Sequence, residues 1–208
     1  MDSRTGGLTL TVPPGVSRRR ALEWAAEHQD WAASALDALP ERAALGPGSI
    51  LPLFGRPHEV DWSPERPRRI KVEDDRVIVG GPAEGLQARL LLWLTREALA
   101  LLSAETQGYA AMVNRDQVSV SVGDPRSRWG SCSSRGTIRY SWRLILAPDF
   151  VRRATVAHEV AHLVHMDHSP RFHALAERLL GSDPRPARLW LRKEGAALHR
   201  IGDGASGS

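Results

Sequence analysis

The chain has 208 residues with 42% hydrophobic content, enough for one full domain plus a smaller partner, and carries a formal charge of +4. Cys132 is the single cysteine, which excludes an intramolecular disulfide and with it a disulfide-stapled secreted scaffold. The basic excess is nearly all arginine, Lys71 and Lys193 being the only lysines, and it is scattered along the chain rather than striped; it therefore reads as solvated surface and not as a nucleic-acid footprint.

The opening "MDSRTGGLTLTVPPG" lacks a basic segment followed by a continuous apolar one, so no signal peptide is expected, and the protein is read as cytoplasmic. "LTLTV" (Leu8 to Val12) alternates as a strand does. Pro13, Pro14 and Gly15 form a turn, and Ser17 is a good N-cap for a helical pattern that runs to about Leu39. Trp24 and Trp31 lie seven apart on one face of that helix and are expected in the core.

"GPGSILPLFGRPHEVDW" and "RRIKVEDDRVIVGG" predict short strands broken by Pro, Gly and Asp-Asp turns, a small β-rich unit that ends near Gly81. A boundary near Pro82 divides the chain into an N-terminal α/β unit (1–81), a second domain (82–200) and a short polar tail (201–208) expected to be disordered. From Glu84 to about Met112, leucines and alanines recur at helical spacing. Arg89, Arg96 and Glu97 interrupt this run, so it predicts a long amphipathic helix and not a membrane span.

"QVSVSV" (Gln117 to Val122) and "TIRYSWRL" (Thr137 to Leu144) alternate strictly, with Ile138, Tyr140, Trp142 and Leu144 on one side. Between them "RWGSCSSRG" supplies a further short strand and a turn at Ser134, Arg135 and Gly136. An antiparallel sheet is therefore expected just before the histidine-rich segment, giving an α+β fold class.

That segment is "HEVAHLVHMDHSPRFH", from His158 to His173. It follows Pro148 and "TVAHEVAHLVH" has helical periodicity, so His158 and His162 are i and i+4. Four residues advance a helix by about 400° and about 6 Å, which brings the two imidazoles to one face at a separation that grips one small cation. Glu159 is rotated by about 100° from His158, too far to share the ligand geometry yet near enough to act on water there. A catalytic zinc needs a third protein ligand, and the candidates are His165, Asp167, His168, His173 and Glu177. On a straight helix His165 is about 10 Å along the axis from His158 and overshoots. Ser169 is a good N-cap, Pro170 suits a first helical position, and "RFHALAERLL" restarts the helical pattern, so His168 falls in a bend that points it back. This favours His168 over Glu177, the rival on the following helix.

The chain resembles the YgjP-like metallopeptidases, relatives of the zincin and SprT-like groups. The resemblance is carried by "RWGSC" (Arg128 to Cys132), "WRLILAP" (Trp142 to Pro148), "HEVAH" and "HSPRF" (His168 to Phe172), in order and with matching spacing, and by "VPPGVS" and "PLFGRP" nearer the N-terminus. It implies a zincin-like domain, one zinc ion held by His158, His162 and His168, and Glu159 as catalytic base. One departure is His173, which stands where the family commonly has an aromatic residue after the phenylalanine.

The expected activity is zinc-dependent hydrolysis of peptide bonds, with a peptide or protein as substrate and with "WGSC" or "TIRYSW" as the strand that aligns it. The same metal and base also suit a nonpeptide substrate such as a nucleotide phosphoanhydride, or a nucleic-acid-associated SprT-like protease. Cys132 has no evident neighbouring base and is expected as a small buried residue, while Trp129 and Trp142 are expected to pack around the site. For the oxyanion the sequence leaves Tyr140, His165, His173 and the arginines near Arg185 as alternatives.

Overall fold

The protein's structure, a computed structural model, describes residues 10–37, 43–125 and 127–203. Leu8 and Thr9 of the expected first strand lie outside the described residues, as does Leu39, and Leu10 to Val12 form no strand. Helix α1 (Arg18–Glu27) begins as expected on Ser17, whose Oγ accepts from the Arg20 N–H. It stops at His28, where the backbone turns to φ −104° and ψ 13°, and α2 (Gln29–Asp37) follows. The expected core role of Trp24 and Trp31 is corrected: they are 50% and 65% exposed. The break at His28 separates the two rings from one continuous helical face, and Trp24 stacks instead on His28, with ring centroids 4.0 Å apart.

A four-stranded sheet follows, built from β1 (Ile50–Leu51), β2 (His58–Ser63), β3 (Lys71–Glu73) and β4 (Arg76–Gly80) in the order β1-β2-β4-β3. The β3–β4 hairpin turns at Asp74, which takes φ 51°, while β2 runs parallel to β4. Between β1 and β2 a 3₁₀ turn, Leu53–Gly55, puts Gly55 at φ +75°. A Cβ there would lie 2.7 Å from Pro148 Cγ. The backbone of the "PLFGRP" motif thus sits directly on the residue that starts the histidine helix, and only glycine suits both the close approach and the left-handed φ.

Helix α3 (Leu86–Ala111) buries Leu86, Leu90, Leu94, Ala98 and Leu102, a stripe at i, i+4 spacing in which each leucine contributes roughly 1.5–3 kcal/mol. It backs a second sheet of β5 (Val120–Gly123), β6 (Gly130–Cys132) and β7 (Ile138–Ser141), ordered β5-β7-β6. The expected all-antiparallel sheet is corrected. β6 and β7 form an antiparallel hairpin, but β7 is the central strand and runs parallel to β5. The segment after β5 crosses to the far side of β7 before the chain turns back, and strict alternation carries no information about strand direction. β5 starts three residues later than expected because Gln117 takes a positive φ of 55°. β7 ends at Ser141, whose Oγ accepts from the Arg143 N–H and turns the chain into a buried 3₁₀ helix, Trp142–Leu146.

Three helices complete the described part of the chain: α4 (Asp149–Ala161), α5 (Pro170–Leu180) and α6 (Arg185–Arg200). The first two match expectation, including Ser169 as N-cap, its Oγ accepting from Phe172 N–H, and Pro170 in the first turn. The sequence reading had no counterpart for α6. Two buried arginines tie these helices in. Arg152 on α4 donates to both Glu105 oxygens on α3 at 2.9–3.1 Å, and to Asp149. Arg143 donates to the Leu198 carbonyl at 2.9 Å, the Ile201 carbonyl at 3.1 Å, and the carboxylates of Asp124 and Asp203, which fastens the end of α6 to the second sheet.

One contiguous core takes in Leu51, Val60 and Val79 from the segment before Pro82 and Leu90, Ile145 and Phe172 from the segment after it. Among the described residues no helix is long and apolar enough to cross a membrane.

Candidate metal centre and adjoining cavity

Helix α4 is built to hold its polar residues against packed surroundings. Val156, Ala157, Val160 and Ala161 are buried, which fixes the helix axis and leaves His158 and His162 half-buried on its other side. The helix is capped at His162, and the chain turns through a short loop before Ser169 starts the next helix. That turn returns His168 to His158: the two Nε2 atoms are 3.2 Å apart. Candidate ligand atoms of His158, His162 and His168 all lie within 4.8 Å of one another, the group among the described residues that could hold a metal ion.

Phe172 forms the floor of this group. Its buried ring lies 4.8, 4.5 and 4.7 Å from the centroids of His158, His162 and His168. His162 Nδ1–H donates to the His165 carbonyl at 3.0 Å; a carbonyl only accepts, so the proton is on Nδ1 and Nε2 is left as a free lone pair. Burial pushes the His158 imidazolium down to about 4, helped by the neighbouring charges of His162, His168 and Arg188. Burial likewise lowers His162. Both rings are therefore neutral near pH 7, the form that binds metal. The other candidates stand apart. His165 contributes its carbonyl, and the residue lines a different cavity beside Met112 and Arg171. Glu177 and Asp167 are exposed and outside the group, and His173 lies next to it, its ring centroid 6.2 Å from that of His168.

Glu159, next to the first of these histidines, is only 6% exposed. Its carboxyl packs on β6 at Gly130, where an added Cβ would lie 2.5 Å from Oε1 and 2.6 Å from Cγ. Burial pushes this carboxyl up to about 7, with the charge of Arg128 opposing. A carboxyl with that affinity for protons both accepts and returns one near neutral pH. β6 is an edge strand of its sheet, so the carboxylate sits beside a strand with an outward row of backbone groups.

Glu159 and His158 also line a cavity of about 200 Å³ whose other walls are Trp129, Thr155, His173, Leu191 and Arg188, among others. Trp129 is held by α6, its ring 4.6 Å from that of His199 and so close to Gly195 that a Cβ there would lie 2.9 Å from Cζ2. Trp129 therefore packs at the site as expected, whereas Trp142 is buried under the Arg143 guanidinium, 4.5 Å from its ring centroid. Of the oxyanion alternatives, Tyr140 is ruled out by position. It is fully buried, its hydroxyl paired with Thr106 Oγ1 at 3.0 Å, and burial raises its pKa far above the ordinary tyrosine range. Cys132 is half-buried, and burial with the nearby Glu159 charge pushes its thiol up to about 11, the opposite of an activated nucleophile. The sequence reading missed the α6 wall, Arg188 and Leu191 above all. Its signal was present in Pro186 followed by the periodic "ARLWLRKEGAALHR".

A family model for the YgjP-like metallopeptidase domain matches residues 3–194. Comparison with curated proteins and with solved structures gives no match. The mixed α+β fold, with two small sheets and six α-helices among the described residues, agrees with a metallopeptidase domain, and that family implies a metal ion. With the match spanning nearly all of its length, the chain belongs to the YgjP-like metallopeptidase family.

Proposed function

We propose that the chain is a zinc-dependent metallopeptidase of zincin type, that His158, His162 and His168 hold one zinc ion, and that Glu159 is the general base. The observation that carries this reading is the convergence of three imidazoles within 4.8 Å beside a buried carboxyl of raised proton affinity. The donor set supports zinc. Two nitrogens each about 2.0–2.1 Å from one tetrahedral ion stand about 3.3 Å apart, and the His158 and His168 Nε2 atoms are separated by 3.2 Å. Three imidazoles leave one coordination position open, the pattern of catalytic rather than structural zinc.

Zinc bound there supplies a Lewis acid that polarises a carbonyl and acidifies water. The chain's own residues do the rest. Glu159 takes the proton of the attacking water and returns it to the leaving amine. Gly130 leaves room for that carboxylate, and the free edge of β6 offers main-chain pairing to an extended peptide laid across the site. The single cysteine fits a cytoplasmic setting.

The test is a digest of a proteome-derived peptide library by the zinc-loaded protein, with new termini read by mass spectrometry, and nucleoside triphosphates offered in parallel. New peptide termini that vanish with a chelator support the reading. Hydrolysis of the nucleotide alone would replace it with the nonpeptide alternative.

A further inference from the structure

We propose that Arg188 is the specificity-determining residue of the cavity beside Glu159, where it selects substrates that present a carboxylate toward α6. The inference rests on the peptidase reading for the identity of the substrate, and on geometry for everything else. Arg188 lines the same cavity as His158 and Glu159. Much of the remaining wall is apolar, including Ala154, Ala176, Pro184, Ala187 and Leu191, so a charged substrate group entering there finds few competing polar partners.

Three other arginines, Arg143, Arg152 and Arg185, are committed to acidic partners and Arg188 is not. Arg143 and Arg152 are buried in ion pairs, and Arg185 Nε holds Asp183 at 2.7 Å. The Arg188 guanidinium makes no hydrogen bond or ion pair with any described residue. Asp183, an acidic group within its electrostatic reach, is already held by Arg185 through its backbone N–H and its side chain. Arg188 thus keeps all five donors for a ligand, in a planar fork that matches a carboxylate.

A second, more open depression shares Arg188 and Leu191 and adds Arg185 and Arg192 to its rim. Spacing of three, then four, places these arginines along one side of α6. Positive potential therefore extends from the cavity outward, and an acidic chain gains at each step along it. An exposed arginine on a solvated helix face would explain its lack of partners, but not its place in the wall of the cavity that ends at Glu159.

Carboxylates reach such a site from two sources, an acidic side chain or the free C-terminus of a peptide. The experiment uses four matched octapeptide libraries, carrying Glu or Gln at one fixed position and ending as free acid or amide. Retention on the immobilised, zinc-loaded full chain is measured by mass spectrometry for wild type, Arg188→Ala and Arg188→Lys, and cleavage in solution is followed separately. Zinc content is expected to be equal in all three proteins. Wild type should enrich carboxylate-bearing peptides by roughly tenfold, the size of one charge-assisted hydrogen bond in a half-open site. The enrichment should collapse toward one in Arg188→Ala and survive in part in Arg188→Lys. Contrast between Glu and Gln libraries assigns the side-chain source; contrast between acid and amide assigns the terminus. No enrichment in wild type, or the same enrichment in Arg188→Ala, overturns the proposal. Equal loss of cleavage on all four libraries in Arg188→Ala, with retention unaltered, also overturns it and gives the arginine an oxyanion role. Selective retention without any cleavage would leave Arg188 standing and overturn the peptidase reading instead.

Discussion

Gly130 of β6 and Glu159 of α4 occupy one space between them: the carboxylate lies where any side chain at residue 130 would have to be, 2.5 Å from Oε1 to an added Cβ. Sheet and helix are thus fitted together at the proposed base, and the glycine of "RWGSC" is explained by contact and not by backbone conformation. Gly130→Ala should displace the carboxylate while the three histidines, which do not meet Gly130, stay in place. Peptide hydrolysis is expected to fall about 100-fold or more, the usual cost of a catalytic group misplaced by about 1 Å, with zinc content retained. Activity assays alongside metal analysis check this; loss of zinc in the variant would mean the contact supports the metal group instead.

The third ligand is decided by two single substitutions. His168 approaches His158 to 3.2 Å, whereas Glu177 is exposed on α5 and outside the group. His168→Ala should weaken zinc binding by more than about 100-fold, beyond the range seen when outer partners of a ligand are removed. Glu177→Ala should leave stoichiometry at one zinc per chain. Competition with a chromogenic chelator reads both, and the reverse ranking would reassign the ligand.

Cys132 offers a pH-dependent check on the same neighbourhood. Burial disfavours its charged form, so its pKa rises from the ordinary 9.0 to about 11, and the reactive thiolate is scarcer at any pH below that. At pH 8 alkylation by iodoacetamide should be about 100-fold slower than for a cysteine in a short peptide, and the rate should still be climbing at pH 10. A rate that levels off near pH 9 would show that the thiol is not desolvated as the structure places it.

Arg143 tests the fastening of α6. Its guanidinium, 1% exposed, serves two carbonyls and two carboxylates at once. Arg143→Leu strands all four acceptors, for which a cost of about 3–5 kcal/mol is expected, read as a lowered midpoint in urea unfolding. Because α6 carries Arg188 and holds Trp129 in the cavity wall, residual folded protein should also bind peptides less well.

What the sequence made legible was local. Helix spacing paired His158 with His162, and the Ser169 cap with Pro170 in the first turn fixed the bend that returns His168. These signals act within a few residues, and the structure brings the three rings together as the spacing predicts. Strand direction was not legible, because alternation in β5 and β7 reports which face is buried and not which way the partner runs. Nor was the exposure of Trp24 and Trp31: a pattern seven apart shares a face only if the helix is unbroken, and His28 breaks it. The cavity wall from α6 is a long-range feature. Gly195 meets Trp129 across 66 positions of chain, and no short-range motif encodes that meeting.

The claim that Glu159 moves the proton while three histidines hold the metal is tested most directly by Glu159→Gln, with zinc content and peptide hydrolysis measured on the same sample. Glutamine keeps the shape beside Gly130 and removes the basic oxygen. The expected result is one zinc per chain with hydrolysis lowered by about 100-fold to 10,000-fold. Hydrolysis at the wild-type rate with zinc in place would contradict the account.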